Sequence, residues 1–421
     1  MASEGASGTT RPRMLDSIRR TPGPGWVLYG GSFVNRFGSF VIVFLVLYLT
    51  DLGYGPTQAG LAVGAYGAGS FAAALVSGLL TDRLGRRRTI ALSMFGSAAS
   101  VLLLSQVAEL PAIVALTCAA GAFGEMYRPA SSALMADLIP PEDRVVAFAL
   151  YRLAINLGFT IGPATAGFLA QRSYVWLFVG DAVTSAVYGV AALVALPEGV
   201  RSQRSDEVRG EALRSVLRDR RFLLFLMATV AASLVYFQAQ STFPLHVRAA
   251  GLSDATYGAL ISLNGLICVV LELPLTSVTR RLPAWLPMTA GSVLVAIGFA
   301  ATAGADTRLL LGATVAVWTL GEIVNAPVAS AFVADVAPAH LRGRYGSVWG
   351  LAFSLSLIVA PIAGGALYEF GPTLLWRACG VVGLISAALV YAAARGRPRP
   401  VPAWTAPAVE TPAPDLPGPP S

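Results

Sequence analysis

Apolar residues along the chain gather into twelve runs, near 25–49, 57–80, 89–107, 111–130, 145–170, 174–196, 221–244, 256–279, 285–304, 308–331, 345–368 and 373–394. Each approaches or exceeds the ~20 residues an α-helix needs to cross the hydrocarbon of a bilayer. Lipid offers no hydrogen bonds to a peptide group, so every backbone group inside it must be satisfied within the segment. The pattern therefore predicts an all-α integral membrane protein with twelve spanning helices, numbered here spans 1 to 12. The polar turns between them alternate in charge. Odd-numbered turns hold Asp51, then Glu109, Arg172, Arg248 with Asp254, Asp306 with Arg308, and Glu369. Even-numbered turns hold Arg83, Arg86, Arg87 and Arg88, then Arg144, then seven arginines between Arg201 and Arg221, then Arg280 with Arg281, and Arg342 with Arg344. The positive-inside rule puts the even turns and both termini in the cytoplasm. Solvation of polar faces alone does not explain the alternation.

This organisation predicts a cytoplasmic N-terminal segment over 1–24 and a first six-helix bundle over 25–196. A cytoplasmic linker follows over 197–220, then a second bundle over 221–395 and a disordered, Pro/Ala-rich cytoplasmic tail over 396–421. Within the linker, Asp206 to Arg220 has the makings of a surface helix against anionic lipid. No cleavable signal peptide stands out, because the first apolar run is itself long enough to span.

Composition agrees: 55% of the 421 residues are hydrophobic and 13% charged, against about 25% charged in a soluble domain. The net charge of +7 is explained by the positions of the arginines and calls for no nucleic acid. Lys is absent, which rules out a G-x-x-x-x-G-K-S/T phosphate loop, and no H-E-x-x-H or G-x-S-x-G element occurs. Cys118, Cys268 and Cys379 each lie in an apolar run and suggest neither a disulfide framework nor a metal site. No enzyme site, metal or cofactor is expected, and any work must be driven by an ion or substrate gradient.

Residues 124–167 and 321–365 repeat one template. Pro129 pairs with Pro327, Asp137 with Asp335, Pro140 with Pro338, Arg144 with Arg342 and Gly167 with Gly365, all 198 residues apart. The same offset pairs Gly162-Pro163 with Ala360-Pro361 and Arg83-Leu84 with Arg281-Leu282. A membrane protein made of two copies of one unit is the signature of a secondary transporter, with its site where the repeats meet.

The turn between spans 2 and 3 reads Gly78-Leu-Leu-Thr-Asp82-Arg83-Leu-Gly85-Arg86-Arg87-Arg88. It resembles, residue by residue, the G-x-L-x-D-R-x-G-R-R/K loop of the major facilitator superfamily, and the likeness covers roughly residues 25–395. The resemblance implies two pseudo-symmetric six-helix bundles, a monomer, and alternating access by rocking one bundle against the other. It makes Gly78, Asp82, Arg83, Gly85, Arg86 and Arg87 a conformational latch, with Asp82 capping the start of span 11 and Arg86 paired with an acidic residue below span 4, Asp137. In the second copy Arg280 stands where Asp82 does and Pro283 where Gly85 does, so only one latch is complete. On span 5, Gly158-Phe-Thr-Ile-Gly162-Pro163-Ala-Thr-Ala-Gly167 is similar to the G-x-x-x-G-P-x-x-G-G motif of the family's antiporters, although Ala166 replaces one glycine. Pro361, Gly364 and Gly365 hold the matching place on span 11. Small residues four apart allow close helix packing, so this set is expected at the interface of the halves; packing alone also accounts for it. The arginine and Gln-Gly pair that drug/proton antiporters carry in span 4 are missing, with Thr117 and Ala120-Gly121 in their places.

Ionisable residues inside a span cost ~2.5–3.5 kcal/mol each at its centre and normally face a cavity or a partner. The family's spans 1, 4, 7 and 10 line the central cavity. That implies a substrate cavity drawn from Asn35, Arg36, Tyr66, Glu125, Arg128, Tyr236, Gln238, Gln240, Glu322 and Asn325. Candidate proton carriers are Glu125 first, then Glu322, with Asp137 and Glu272 behind them. An Arg36–Glu125 structural ion pair is the competing reading, and Glu272 and Arg152 are expected to pair between helices. Asp181 and Arg377 are expected to snorkel at the outer interface or to pair locally, and His246 to be solvated there. Within the family the chain looks most like the bacterial drug/proton antiporter-type efflux subgroup. The resemblance thus implies efflux of small amphipathic compounds across the cell inner membrane, with protons and the lipid bilayer as the other partners. A facilitator or exporter of a metabolite such as a sugar or amino acid is the alternative; a non-transporting scramblase or assembly partner is the reading from another class.

Overall fold

A computed structural model describes residues 14–199, 218–338 and 341–395. Most of the linker and all of the C-terminal tail lie outside them, as does most of the expected surface helix over Asp206 to Arg220. Among the described residues, eleven helices or closely joined helix pairs are long and apolar enough to cross a membrane. The remaining predicted span is Arg86–Leu104, whose three leading arginines follow Gly85. Gly85 has φ +86°, a left-handed conformation open to glycine at little cost, and it reverses the chain between spans 2 and 3.

Two spans are broken where the apolar pattern predicted continuity. Span 1 consists of Gly23–Phe37 and Phe40–Asp51. At the break the Gly38 N–H bonds back to Val34 O, and Ser39 Oγ donates to Asn35 O at 2.9 Å. Span 7 consists of Arg220–Tyr236, Gln238–Ser241 and Phe243–Ala249. Its first break lies one repeat length from that of span 1. Local polar side chains at each break take up backbone groups that leave the helical ladder, as membrane burial requires.

The halves meet along spans 2 and 11 and along spans 5 and 8. A Cβ on Gly60, Gly64 or Gly67 of span 2 would strike the backbone of Pro361, Ile358 or Leu357 of span 11. Gly258 of span 8 fits against Pro163 and Gly167 of span 5, and Gly265 against Thr160. These contacts occupy the end of the molecule away from the arginine-rich turns. There one apolar core runs through both halves, joining Phe44, Leu47 and Phe178 to Phe243, Tyr257 and Trp318. Towards the arginine-rich end it divides. Leu28, Met94, Tyr127 and Tyr188 form a core within the first half, and Phe222, Met288, Phe332 and Tyr345 one within the second. At this end a Cβ on Gly78, Gly343, Gly346 or Gly350 would meet nothing within 4 Å. The halves are thus closed at the face away from the arginine-rich turns, called the outer face after the side on which the positive-inside rule expects it, and parted at the arginine-rich face.

Candidate functional site

Glu125 and Glu322 lie in the interior of the first and second halves, in opposite electrostatic settings. Glu125 of span 4 lies between two arginines: Arg36 Nη2 of span 1 stands 3.0 Å from Oε1, and Arg128 Nε, one turn along, 2.9 Å from Oε2. Arg128 is half exposed, while Arg36 is largely covered and its Nε has no hydrogen-bond partner among the described residues. Glu322 of span 10 has neutral neighbours. Tyr236 Oη of span 7 donates to Oε1 at 3.2 Å, and Asn264 Nδ2 of span 8 donates to Oε2 at 3.1 Å and to Thr319 Oγ1 at 3.0 Å. Both glutamates face the first helix of their own half, so the one-residue slip in their spacing does not turn them apart.

The two other candidate carboxylates are paired. Asp137 Oδ2 lies 2.8 Å from Arg86 Nη1. Glu272 of span 8 is bonded to Arg152 of span 5, a link between the halves towards the arginine-rich side.

Several expectations from the sequence need correction. Gln238 is not a cavity residue. It is buried at the break in span 7, where Nε2 donates to Leu234 O at 3.0 Å and Ala360 O at 2.9 Å, and Oε1 accepts from Ser241 and Thr242. Asn325 packs against Gly291 of span 9, inside its own half, with Oδ1 lacking a hydrogen-bond partner among the described residues. Gln240 is half-buried. Asn35 is buried and donates to Met94 Sδ at 3.6 Å. Gly158 and Gly162 do not lie between the halves: a Cβ on either would meet the backbone of Phe33 or Phe37 in span 1 of the same half. Gly364 likewise faces Gln238 in its own half, whereas Pro163, Gly167, Pro361 and Gly365 do meet the other half. Two faces of one glycine-rich helix serve two purposes, and spacing alone does not say which is which.

Asp82 does not cap span 11. It makes no hydrogen bond or ion pair among the described residues, and the helix Arg342–Phe370 begins without a side-chain cap. The parting of the halves at this end removes the contact. The rest of the loop is tied within its own half. Arg86 holds Asp137, while Arg87 and Arg88 stand 3.0 and 3.3 Å from Glu198 Oε1. Arg83 is exposed.

Asp181 and His246 are not solvated at the interface. Asp181 is buried and accepts the Val41 N–H at 3.2 Å, where the second piece of span 1 begins. Its signal was the spacing of Asp181, Ser185 and Tyr188, which share the buried face of span 6. His246 bridges Ala305 O at 2.9 Å and the Trp376 indole N–H at 3.1 Å.

The sequence reading also missed the outer closure. Arg248 reaches from span 7 to Asp51 at 2.6 Å, Thr50 Oγ1 at 3.2 Å and Leu47 O at 3.2 Å, all in the first half, and holds Asp254 at 2.9 Å. Tyr174 of the first half bonds to Asp254 and lies 2.5 Å from Arg248 Nη2. Glu369, at the end of span 11, accepts the Thr57 N–H at the start of span 2 at 2.9 Å. Beside Gly167, Pro361 and Gly365, the small-residue spacing of Gly60, Gly64 and Gly67 was a legible sign of this face.

The arrangement offers two opposed bundles, one ionisable centre in each, and a closure at one end only. The sequence model of the Major Facilitator Superfamily matches residues 28–345 and 320–418. The chain is 25% identical over 372 residues to the Na(+), Li(+), K(+)/H(+) antiporter of Planococcus maritimus, covering 80% of this chain and 87% of that protein. It is 25% identical over 390 residues to the multidrug resistance protein MdtH of Yersinia pestis (strain Pestoides F), covering 90% and 96%. The crystal structure of the nucleoside transporter NupG superposes with a TM-score of 0.73 at 16% identity, covering 88% of this chain and 98% of that one. With the repeat, the helical architecture and these likenesses together, the chain belongs to the major facilitator superfamily and is an integral membrane transporter.

Proposed function

We propose that this protein is a proton-coupled exporter of small amphipathic compounds, multidrug-type, working by alternating access in the cell inner membrane with both termini in the cytoplasm. The observation that carries the reading is the setting of Glu322. Of the four candidate carboxylates it is the one without a cation beside it among the described residues. A carboxylate buried without a countercharge is costly to ionise, so it holds a proton until water or a cationic substrate reaches it. Glu125, clamped by Arg36 and Arg128, suits a fixed structural charge and takes second place. Substrate entering between the halves from the arginine-rich side meets Arg128, Glu125, Tyr236 and Glu322. Likeness to proteins named as a multidrug resistance protein and as a cation/H(+) antiporter supports export and exchange respectively.

The test is Glu322→Gln beside Glu125→Gln in liposomes with an imposed pH gradient. Glu322→Gln abolishes pH-driven efflux yet keeps substrate exchange without a gradient. Glu125→Gln leaves two arginines unpaired, at a cost of about 3–5 kcal/mol, and lowers folded yield first. Full pH-driven transport by Glu322→Gln overturns the assignment of the proton. Transport without proton movement in the wild type selects the metabolite facilitator, and proton flux driven by Na+ or K+ alone selects alkali cations as the cargo.

A further inference from the structure

The break in span 1 is held from one side by span 6. Asp181 Oδ2 accepts the Val41 N–H at 3.2 Å, while the Phe40 N–H turns back to Gly38 O at 2.6 Å. The Val41 N–H is one of the free N–H groups at the start of the helix Phe40–Asp51, where a negative charge is favoured. One turn further, Thr184 occupies the space a Cβ on Gly38 would need. Asp181 is 9% exposed, so its carboxylate lies deep in the first bundle. Beside it is a small cavity of ≈ 30 Å³, part polar and part apolar, whose polar wall is Asp181, Asn35, Arg36, Ser39, Tyr66 and Ser97 with Thr117. That is room for one water with several polar partners, and so for a proton donor beside Asp181.

We propose that Asp181 is a second proton-binding site of this transporter, and that its proton sets the angle of the break in span 1 and thereby the closure of the outer face. The site builds on the proton-coupled reading above and adds a carboxylate in the opposite half from Glu322. The step is a simple protonation. A proton arriving through the cavity forms an O–H bond on the Asp181 carboxylate, and the Val41 N–H loses its anionic acceptor. The helix Phe40–Asp51 is then held less firmly at its start. Its far end carries Leu47 O, Thr50 and Asp51, which with Tyr174 are the first-half groups that hold Arg248. One short helix therefore joins the buried carboxylate to the outer closure, with the break as the element that has two settings.

The groups that share this field are few. Span 1 presents Arg36 and span 2 Tyr66, both on the cavity wall; span 3 presents Ser97 and no titratable group. Span 4 contributes Glu125 and Arg128, which with Arg36 and Asp181 are the charges acting on Tyr66. Span 5 contributes Tyr151, beside Ser32 and nearer the arginine-rich side. Span 6 adds Tyr188, hydrogen-bonded to Ser131 at 3.2 Å. Asp181 is the carboxylate among these without a direct arginine partner among the described residues.

Two readouts on the full chain test the site. Spin labels on Leu52→Cys and Ser253→Cys, with Cys118, Cys268 and Cys379 replaced by Ser, report the outer face. In the wild-type background this distance widens on acidification. In Asp181→Asn, fixed neutral with the same shape, it is wide at every pH. Infrared difference spectra of ¹³C-aspartate-labelled wild-type protein then show a protonated, desolvated aspartate that appears with acid, and this keeps the test alive if Asp181→Asn does not fold. An unchanged pH response in Asp181→Asn, or no isotope-shifted aspartate band in the wild type, overturns the proposal. The outcome is separable from that of the transport reading. Loss of pH-driven efflux in Glu322→Gln with a normal pH response in Asp181→Asn keeps proton coupling and removes this site. A pH-independent wide distance in Asp181→Asn, with no proton-coupled flux in the wild type for any substrate, keeps the site and removes the coupling.

Discussion

The outer face and the arginine-rich face are built from the same repeated helices, yet they are held together differently. At the outer face the bonds cross from one half to the other: Arg248 to Asp51, Tyr174 to Asp254, Glu369 to Thr57, and Tyr257 Oη to Val43 O at 3.1 Å. At the arginine-rich face most of them stay within a half: Arg86 to Asp137, Arg87 and Arg88 to Glu198, and Arg20 to Asp143 at 3.2 Å, with Arg152–Glu272 as the exception. The apolar cores follow the same division, joined at one end and separate at the other. Each half is braced within itself where the two are parted, and the brace between halves lies at the opposite end, as the alternating access proposed above requires. A rigid bundle rocking about its midplane needs this asymmetry, since a bond across the parting face would oppose the motion.

The comparison breaks most directly at Arg248. Arg248→Ala removes the cation shared by Asp51 and Asp254 and leaves the largely buried Asp254 without it. Truncating one member of such a cluster costs about 2 kcal/mol at the low end, roughly thirtyfold in the balance between the two states. The expected result is a population open at the outer face, read by spin-label distances between Leu52→Cys and Ser253→Cys. A distribution like that of the parent protein would mean the apolar core alone closes this face.

Gly167→Leu and Gly162→Leu sharpen the same contrast within one helix. Overpacking costs about 1–3 kcal/mol, but it falls in different places. At Gly167 it lands on Asp254, Ala255 and Gly258 of the other half, so the outer face opens and folded yield holds. At Gly162 it lands on Phe37 of the same half, so folded yield falls. Size-exclusion recovery and transport measured together separate the two; equal losses of folded protein would sink the distinction.

Asp82→Asn and Glu369→Gln form a pair with smaller and opposite effects. Glu369 caps span 2 at the closed face, so its loss favours opening there. Asp82 has no partner among the described residues with the arginine-rich face parted, so its loss affects only the state in which that face closes. A carboxylate at a helix start contributes about 0.3–1 kcal/mol, so each variant moves the balance about two- to fivefold. Shifts in the same direction would show that the two ends are not alternatives.

The smallest effect on this balance concerns His246, in the last helical piece of span 7. Its Nδ1 accepts from Trp376, so Nε2 carries the proton and donates to Ala305 O. All three groups belong to the second half. His246→Phe therefore costs folded stability, about 0.5–1.5 kcal/mol for each lost bond, and leaves the distance across the outer face as it is. Thermal melts and spin-label distances check this; a shifted distance would mean that His246 takes part in the closure.

Much of this was legible in the sequence because lipid imposes strict local rules. Apolar run length gave the spans, arginine placement predicted their orientation, and the offset between Pro129 and Pro327 revealed the two halves. The proximity of Glu125 to Arg36 and of Arg86 to Asp137 was implied by the resemblance to the family, through its cavity-lining spans and its loop motif. What sequence position could not determine is which way a side chain points once its helix is packed. Gly162 and Gly167 lie on one motif yet meet different halves. Gln238 looked like a polar cavity residue and is spent on the broken backbone of span 7, while Asp181 looked interfacial and supports the break in span 1. The outer cluster around Arg248 joins residues about 200 positions apart, with no local pattern to announce them. Span and topology depend on the transfer energy of each segment taken alone, whereas faces, breaks and closures depend on what the neighbouring helix presents, and only the tertiary structure decided those.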